Sequence, residues 1–169
     1  MIMETYKYPP AIINSYVWAQ FTENAPQFVS QYNGIVPIFP VRDALAADST
    51  WGSKPYIIYD NMARFRTARF YGIRKEQLLY SVRGEVPEIF MVRDLITDIL
   101  DRSDDAAKDI NDYAGDNLEN PLIFFHDFRV YQMSGTSEKT DNISNRQYYA
   151  TEMIIEYQYH PQEIYNELG

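Results

Sequence analysis

Residues 147–160 read QYYATEMIIEYQYH, the clearest alternation in the chain. Tyr149, Met153, Ile155, Tyr157 and Tyr159 fall on one side of an extended strand. Glu152, Glu156, Gln158 and His160 fall on the other, with Ile154 as the exception. A strand patterned this way has one face on a core and one face elsewhere, which is the signature of an antiparallel sheet. Three further strands are expected upstream. Tyr56–Asp60 is short. Glu76–Arg83 places Leu78, Tyr80 and Val82 on one face and stops at Gly84. Leu122–Met133 places Leu122, Phe124, Phe128 and Val130 together. The polar stretch SGTSEKTDNISNR, residues 134–146, reads as the loop that makes the last two strands an antiparallel pair.

Helical spacing appears in two regions. Over 11–22, Ile12, Ile13, Tyr16 and Val17 share a face that Phe21 continues. Over 87–101, Ile89, Val92, Leu95, Ile96 and Ile99 form a stripe, with Pro87 and Glu88 suited to the first turn. Ser103 is the expected N-cap of another helical stretch, Asp104–Tyr113, with Gly115 as its stop. These elements predict an α+β fold, a four-stranded, mostly antiparallel sheet with helices packed on one face. The expected organisation is an extended arm over 1–10, one domain over 11–160 and a tail over 161–169. Residues 33–55 carry Gly34, Pro37, Pro40, Gly52 and Pro55 and read as a long, proline-punctuated connection pinned by Phe39 and Trp51.

Composition narrows the chemistry. The 169 residues carry 24 acidic and 15 basic side chains, a net charge of -9. A surface this acidic does not suit grip on a nucleic-acid backbone, so no sequence-specific nucleic-acid partner is expected. The absence of cysteine excludes disulfides and thiolate metal sites. No stretch approaches the length of a membrane span, and the N-terminus has no apolar segment of signal-peptide type.

No phosphate-cradling glycine loop and no nucleophile elbow occurs. The two histidines, His126 and His160, are expected on different strands, His126 on the apolar side and His160 exposed at a strand end. A histidine metal site is therefore not expected. Asp101, Asp104, Asp105, Asp109 and Asp112 read as a solvated acidic helix face, with a subunit-bridging divalent cation as the alternative. No catalytic residue, cofactor or metal is predicted, and the chain is read as a non-enzyme.

The one basic patch lies in residues 61–75, where Arg64, Arg66, Arg69, Arg74 and Lys75 are interleaved with Phe65, Phe70 and Tyr71. It reads as a contact for an acidic protein surface, as a solvated hairpin with arginine stems over the aromatics, or as a nucleic-acid contact. Candidate interface residues are Arg64, Arg66, Arg69, Phe70, Tyr71 and Arg74, together with Arg129, Glu152 and Glu156 on the polar face of the sheet. The loops 40–54 and 134–146 are the other candidate interface segments.

The order of parts carries a resemblance. Val36–Pro40, Pro55–Asp60, Leu79–Gly84, the helix Val92–Arg102 and the final strand Tyr148–Tyr159 together resemble the tail-terminator and tail-completion proteins of tailed bacteriophages. The resemblance spans roughly residues 30–160 and rests on order and pattern. It implies a structural virion protein, assembled in the host cytoplasm, that forms a ring with itself, often a hexamer. Such a ring caps the tail tube protein, stops its polymerisation and meets the head-completion or connector protein, and in contractile tails the sheath. A head–tail connector or stopper of the neck is the alternative. A monomeric α+β domain holding a ligand near Trp51 and Tyr56 is a further one.

Overall fold

The alternating segment becomes the last strand among the described residues, and the sheet is built around it. The computed structural model describes residues 8–51, 54–66, 72–118, 123–141, 143 and 145–161. Helix α1 (Pro9–Asn24) and a short helix α2 (Pro26–Ser30) come first. Strand β1 (Ile38–Pro40), a 3-10 turn (Val41–Asp43) and helix α3 (Ala44–Trp51) follow. The hairpin β2 (Tyr56–Arg66) and β3 (Arg74–Gly84) leads to helices α4 (Glu88–Leu100) and α5 (Asp104–Asn117). Strands β4 (Ile123–Thr140) and β5 (Gln147–Pro161) complete the described chain.

The fold is α+β, with one sheet in the order β1-β2-β3-β5-β4. The four expected strands are its antiparallel part. The fifth, β1, pairs in parallel with β2, from Ile38 beside Ile57 to Pro40 beside Tyr59. The tract expected as a long loop therefore contains a strand, a turn and a helix. Its prolines misled the reading: Pro40 sits at the end of an edge strand, where a missing N–H costs little.

One face of the sheet is closed by α1, α4 and α5. Leu78, Tyr80 and Val82 of β3 and Met153, Ile155 and Tyr157 of β5 lie within one core with Ile12, Val17, Ile89, Ile96 and Ile110. Burying an aliphatic side chain of this kind stabilises by about 1.5–3 kcal/mol. Helix α1 opens with Pro9 and Pro10 in its first turn, where no backbone N–H is lost, so the expected arm is helical from Pro9 onward. Residues 1–7 and 162–169 lie outside the described residues, and Pro161 belongs to β5. Asn14, buried on α1, accepts the Tyr80 hydroxyl and ties that helix to β3. Gly84 is required where it stands. Its φ is +145°, and a Cβ there would meet the Pro55 backbone at 3.1 Å.

Helix α4 follows its stripe closely, burying Ile89, Val92, Ile96, Ile99 and Leu100. Helix α5 runs past Gly115 to Asn117, because that glycine is a helical residue on an open face and not a stop. Ser103 does not cap α5 through its side chain; its φ is 55° and its backbone pairs with β4 instead.

Two register shifts in β4 correct the reading of that strand. The first lies between Phe125 and Asp127. It puts Phe125, Phe128 and Val130 on the core side and turns Phe124 to the opposite face, where it is 39% exposed. An inserted residue reverses the face of everything beyond it, which simple alternation cannot foresee. Leu122 lies outside the described residues. The second shift lies between Gln132 and Thr136, beyond which β4 continues to Thr140. The expected loop 134–146 is therefore mostly strand.

Candidate assembly surface

The second face of the sheet is divided. One end is covered by α3, which corrects the expectation that helices pack on one face alone. Ala47 of α3 packs with Tyr56 and Ile58 of β2, flanked by Phe39, Ala44 and Trp51. At the centre of this contact Asp48, 5% exposed, accepts hydrogen bonds from three strands. The Tyr56 hydroxyl donates to one carboxylate oxygen and the Tyr148 hydroxyl to the other, at 3.0 Å. Arg83 Nη1 reaches both oxygens, at 3.0 and 3.1 Å, and its guanidinium lies 5.9 Å from the Tyr148 ring centre. Tyr56 and Arg83 are direct neighbours in the ladder, so the sheet register itself aims the donors at one point.

Burial first, then the hydrogen bond to Asp48, pushes the Tyr148 hydroxyl up to about 12. The same causes in the same order raise Tyr56 well above the ordinary tyrosine range. Ser49, next along α3, donates to both oxygens of Asp141 at 3.3 and 3.2 Å. That bond anchors the distal end of the β4–β5 hairpin to the same helix. This hub carries no signal in the sequence, since an Asp in a small-residue helix looks like any solvated one.

The other end of this face is open and mixed. Register places Asp60, Leu79, Ile154 and Tyr131 in one row across β2, β3, β5 and β4. The next row holds Gln77, Glu156 and Arg129, and the one beyond it Lys75, Gln158 and Asp127. Glu156 is held by Lys75 at 3.0 Å and by Gln77 at 3.2 Å. Arg129, opposite Glu156 in the ladder, pairs instead with Asp127 at 3.3 Å. Glu152 stands beside a concavity of about 230 Å³ lined also by Met133, Thr136, Ser137 and Ala150. Of the expected interface residues, Arg129, Glu152 and Glu156 thus share one surface.

Arg74 does not join them. It lies in register with Tyr159, toward the core side of the sheet. There the buried carboxylate of Glu76 accepts the Tyr159 hydroxyl. Burial, then Glu76, raises Tyr159 to about 12, with Arg74 opposing. Arg64 and Arg66 are strand residues of β2, in register with Glu76 and Arg74. Arg69, Phe70 and Tyr71 lie outside the described residues. Of the loop expected over 40–54, residues 40–51 are the β1–α3 segment that packs on the sheet.

The edge of the sheet at β4 is also divided. Between Phe125 and Val130 its outward polar groups are met one after another. Asn111 of α5 accepts from the Phe125 N–H and donates to the Phe125 carbonyl, both at 2.9 Å. The Ser103 backbone exchanges two bonds with Phe128, at 3.1 and 3.3 Å. Asp101 accepts the Val130 N–H at 3.1 Å. From Tyr131 to Thr140 no such cover is present among the described residues. This half exposes Tyr131 at 47% and Met133 at 44%, and Ile143 beyond its end at 72%. Ser103 was legible only as an N-cap and Asp101 only as part of an acidic helix face, and Asn111 carried no signal; their role as an edge cover depends on where β4 runs.

Among the described residues no helix is long and apolar enough to cross a membrane. The chain matches no protein-family model and no curated protein sequence.

Proposed function

We propose that this chain is an assembly subunit that forms a ring with copies of itself and, as in the tail-terminator proteins it resembles, caps a tail tube and offers the surface on which the head is joined. The observation that carries this reading is the half-covered edge of β4. Edge strands expose a row of backbone donors and acceptors and are normally covered, charged or bent away. Here one half is sealed by three dedicated residues while the half bearing Tyr131 and Met133 is left open. The open row Leu79–Ile154–Tyr131 and the concavity at Glu152 continue the same surface. A head-to-tail contact that closes on itself would cover edge and face together.

The alternative of a pocket near Trp51 and Tyr56 draws less support. Tyr56 is 1% exposed with its hydroxyl given to Asp48, and the Trp51 ring packs on Tyr32 at 5.5 Å. The test is negative-stain microscopy of the concentrated protein, with and without Mg²⁺, followed by co-sedimentation with tail tubes. Closed rings that bind tube ends are expected. Rings that bind a portal-side protein and ignore tubes would move the reading to a neck connector. A monomer under every condition that also ignores tubes would overturn it.

A further inference from the structure

The two histidines, expected apart, are in contact. His126 Nε2 lies 2.5 Å from His160 Nδ1, with ring centroids 4.7 Å apart and planes inclined by 35°. The Phe124 ring packs on both, at 5.3 and 5.5 Å. The bulge in β4 creates this meeting. Phe124 stands opposite His160, Phe125 opposite Tyr159 and Asp127 opposite Gln158, leaving His126 as the inserted residue. A bulge of this kind re-aims a side chain, and here it turns one imidazole nitrogen toward the other.

The surroundings suit a cation. His160 is 9% exposed, and the neutral imidazole is the form that ligates a metal. A crevice of about 250 Å³ opens beside His126 between β4 and α5, with Asp104, Lys108 and Asp112 on its wall. Asp112 is partly neutralised by Lys108 at 2.9 Å. Among the described residues no third carboxylate or histidine closes with the pair into a complete ligand set, and water from the crevice can fill remaining positions.

We propose that His126 and His160 form a two-imidazole site for a divalent transition-metal ion of the Zn²⁺ or Ni²⁺ class, clipping the start of β4 to the end of β5. Imidazole nitrogens suit these ions, at about 2.0–2.1 Å. Tetrahedral binding at that length sets the two nitrogens about 3.3 Å apart with their lone pairs converging on the metal, so the rings must part by less than ~1 Å and tilt out of their head-on contact. The proton that lies between them in the metal-free pair moves through solvent to the other nitrogen of its own ring, and no net proton is released. The site is independent of ring formation.

Because the chain has no other histidine and no cysteine, the test is clean. Full-length protein without a polyhistidine tag is stripped with chelator and titrated with ZnCl₂ or NiCl₂ by calorimetry. One equivalent per chain and a raised melting temperature are expected, with affinity lowered at least tenfold in His126→Gln and in His160→Gln. Imidazole ¹⁵N NMR of the unmutated protein gives a readout that does not depend on the variants folding. Metal should displace one nitrogen resonance in each ring. Absence of binding, undisturbed ring resonances, or binding unchanged in the folded double variant would overturn the site.

Discussion

Strand β4 has two edges in one. From Phe125 to Val130 it is sealed by Asn111, the Ser103 backbone and Asp101. From Tyr131 to Thr140, paired with β5 on its inner side except at the irregularity of 133–135, its outer side has no backbone cover among the described residues. The two halves share a strand, a partner and a sheet, so strand propensity does not explain the difference. The sealed half lies where α4 turns into α5 against the sheet. The open half begins at Tyr131, and within it the Gln132 side chain still reaches Thr97 of α4 at 3.5 Å. The second sheet face repeats the pattern, covered by α3 at one end and open at the other. The contrast teaches that the fold is stabilised at one set of sites and left available at another.

That contrast can be broken from either side, and the expected effects differ in size. The largest comes from the covered end of the second face. Asp48→Ala removes the common acceptor of Tyr56, Tyr148 and Arg83 and leaves the Arg83 charge without its partner. Removing one partner of a buried ion pair costs about 3–5 kcal/mol, to be read as a fall in the denaturant midpoint. Next is the sealed edge. Asn111→Ala leaves the Phe125 N–H and carbonyl without side-chain partners, with an expected loss of about 1–3 kcal/mol. An unchanged midpoint would mean that water replaces the asparagine and that the seal is incidental.

Alkaline pH probes the covered regions together. Tyr148 and Tyr159 are raised to about 12 in the fold, above the unfolded value of about 10. The neutral hydroxyl is thus the native form. Its contribution is complete below pH ~10 and is lost as pH rises from there through the folded value. Melting temperature should fall steadily over that window, and less steeply in Tyr148→Phe. The smallest effect on folding belongs to the open half. Tyr131→Lys with Met133→Lys should change stability by no more than about 0.5 kcal/mol, yet abolish assembly as followed by light scattering. Retained assembly in this variant would detach the open edge from the function proposed for it.

Much of this architecture was legible in the sequence. The alternation of 151–159 and the stripe of α4 each report one relation between period and core, whereas at 148–150 burial passes to the opposite face, with Tyr148 and Ala150 buried and Tyr149, expected on the core, 37% exposed. Glu152, Glu156 and Arg129 were assigned to one surface for the same reason. What escaped depends on long-range register. The bulges in β4 shift faces without a glycine or proline at the first break to announce it, so Phe124 and His126 were misassigned. The Asp48 hub joins residues 35 and 100 positions away, which no local pattern encodes. Helix α3 was obscured by the prolines and glycines on either side of it.

The most direct measurement is hydrogen–deuterium exchange on dilute and concentrated protein, reading the two halves of β4 separately. The account predicts that amides of 131–140 gain protection as the protein assembles, while those of 125–130 are protected throughout and do not change. Assembly that leaves 131–140 as exchangeable as in the dilute protein would contradict it.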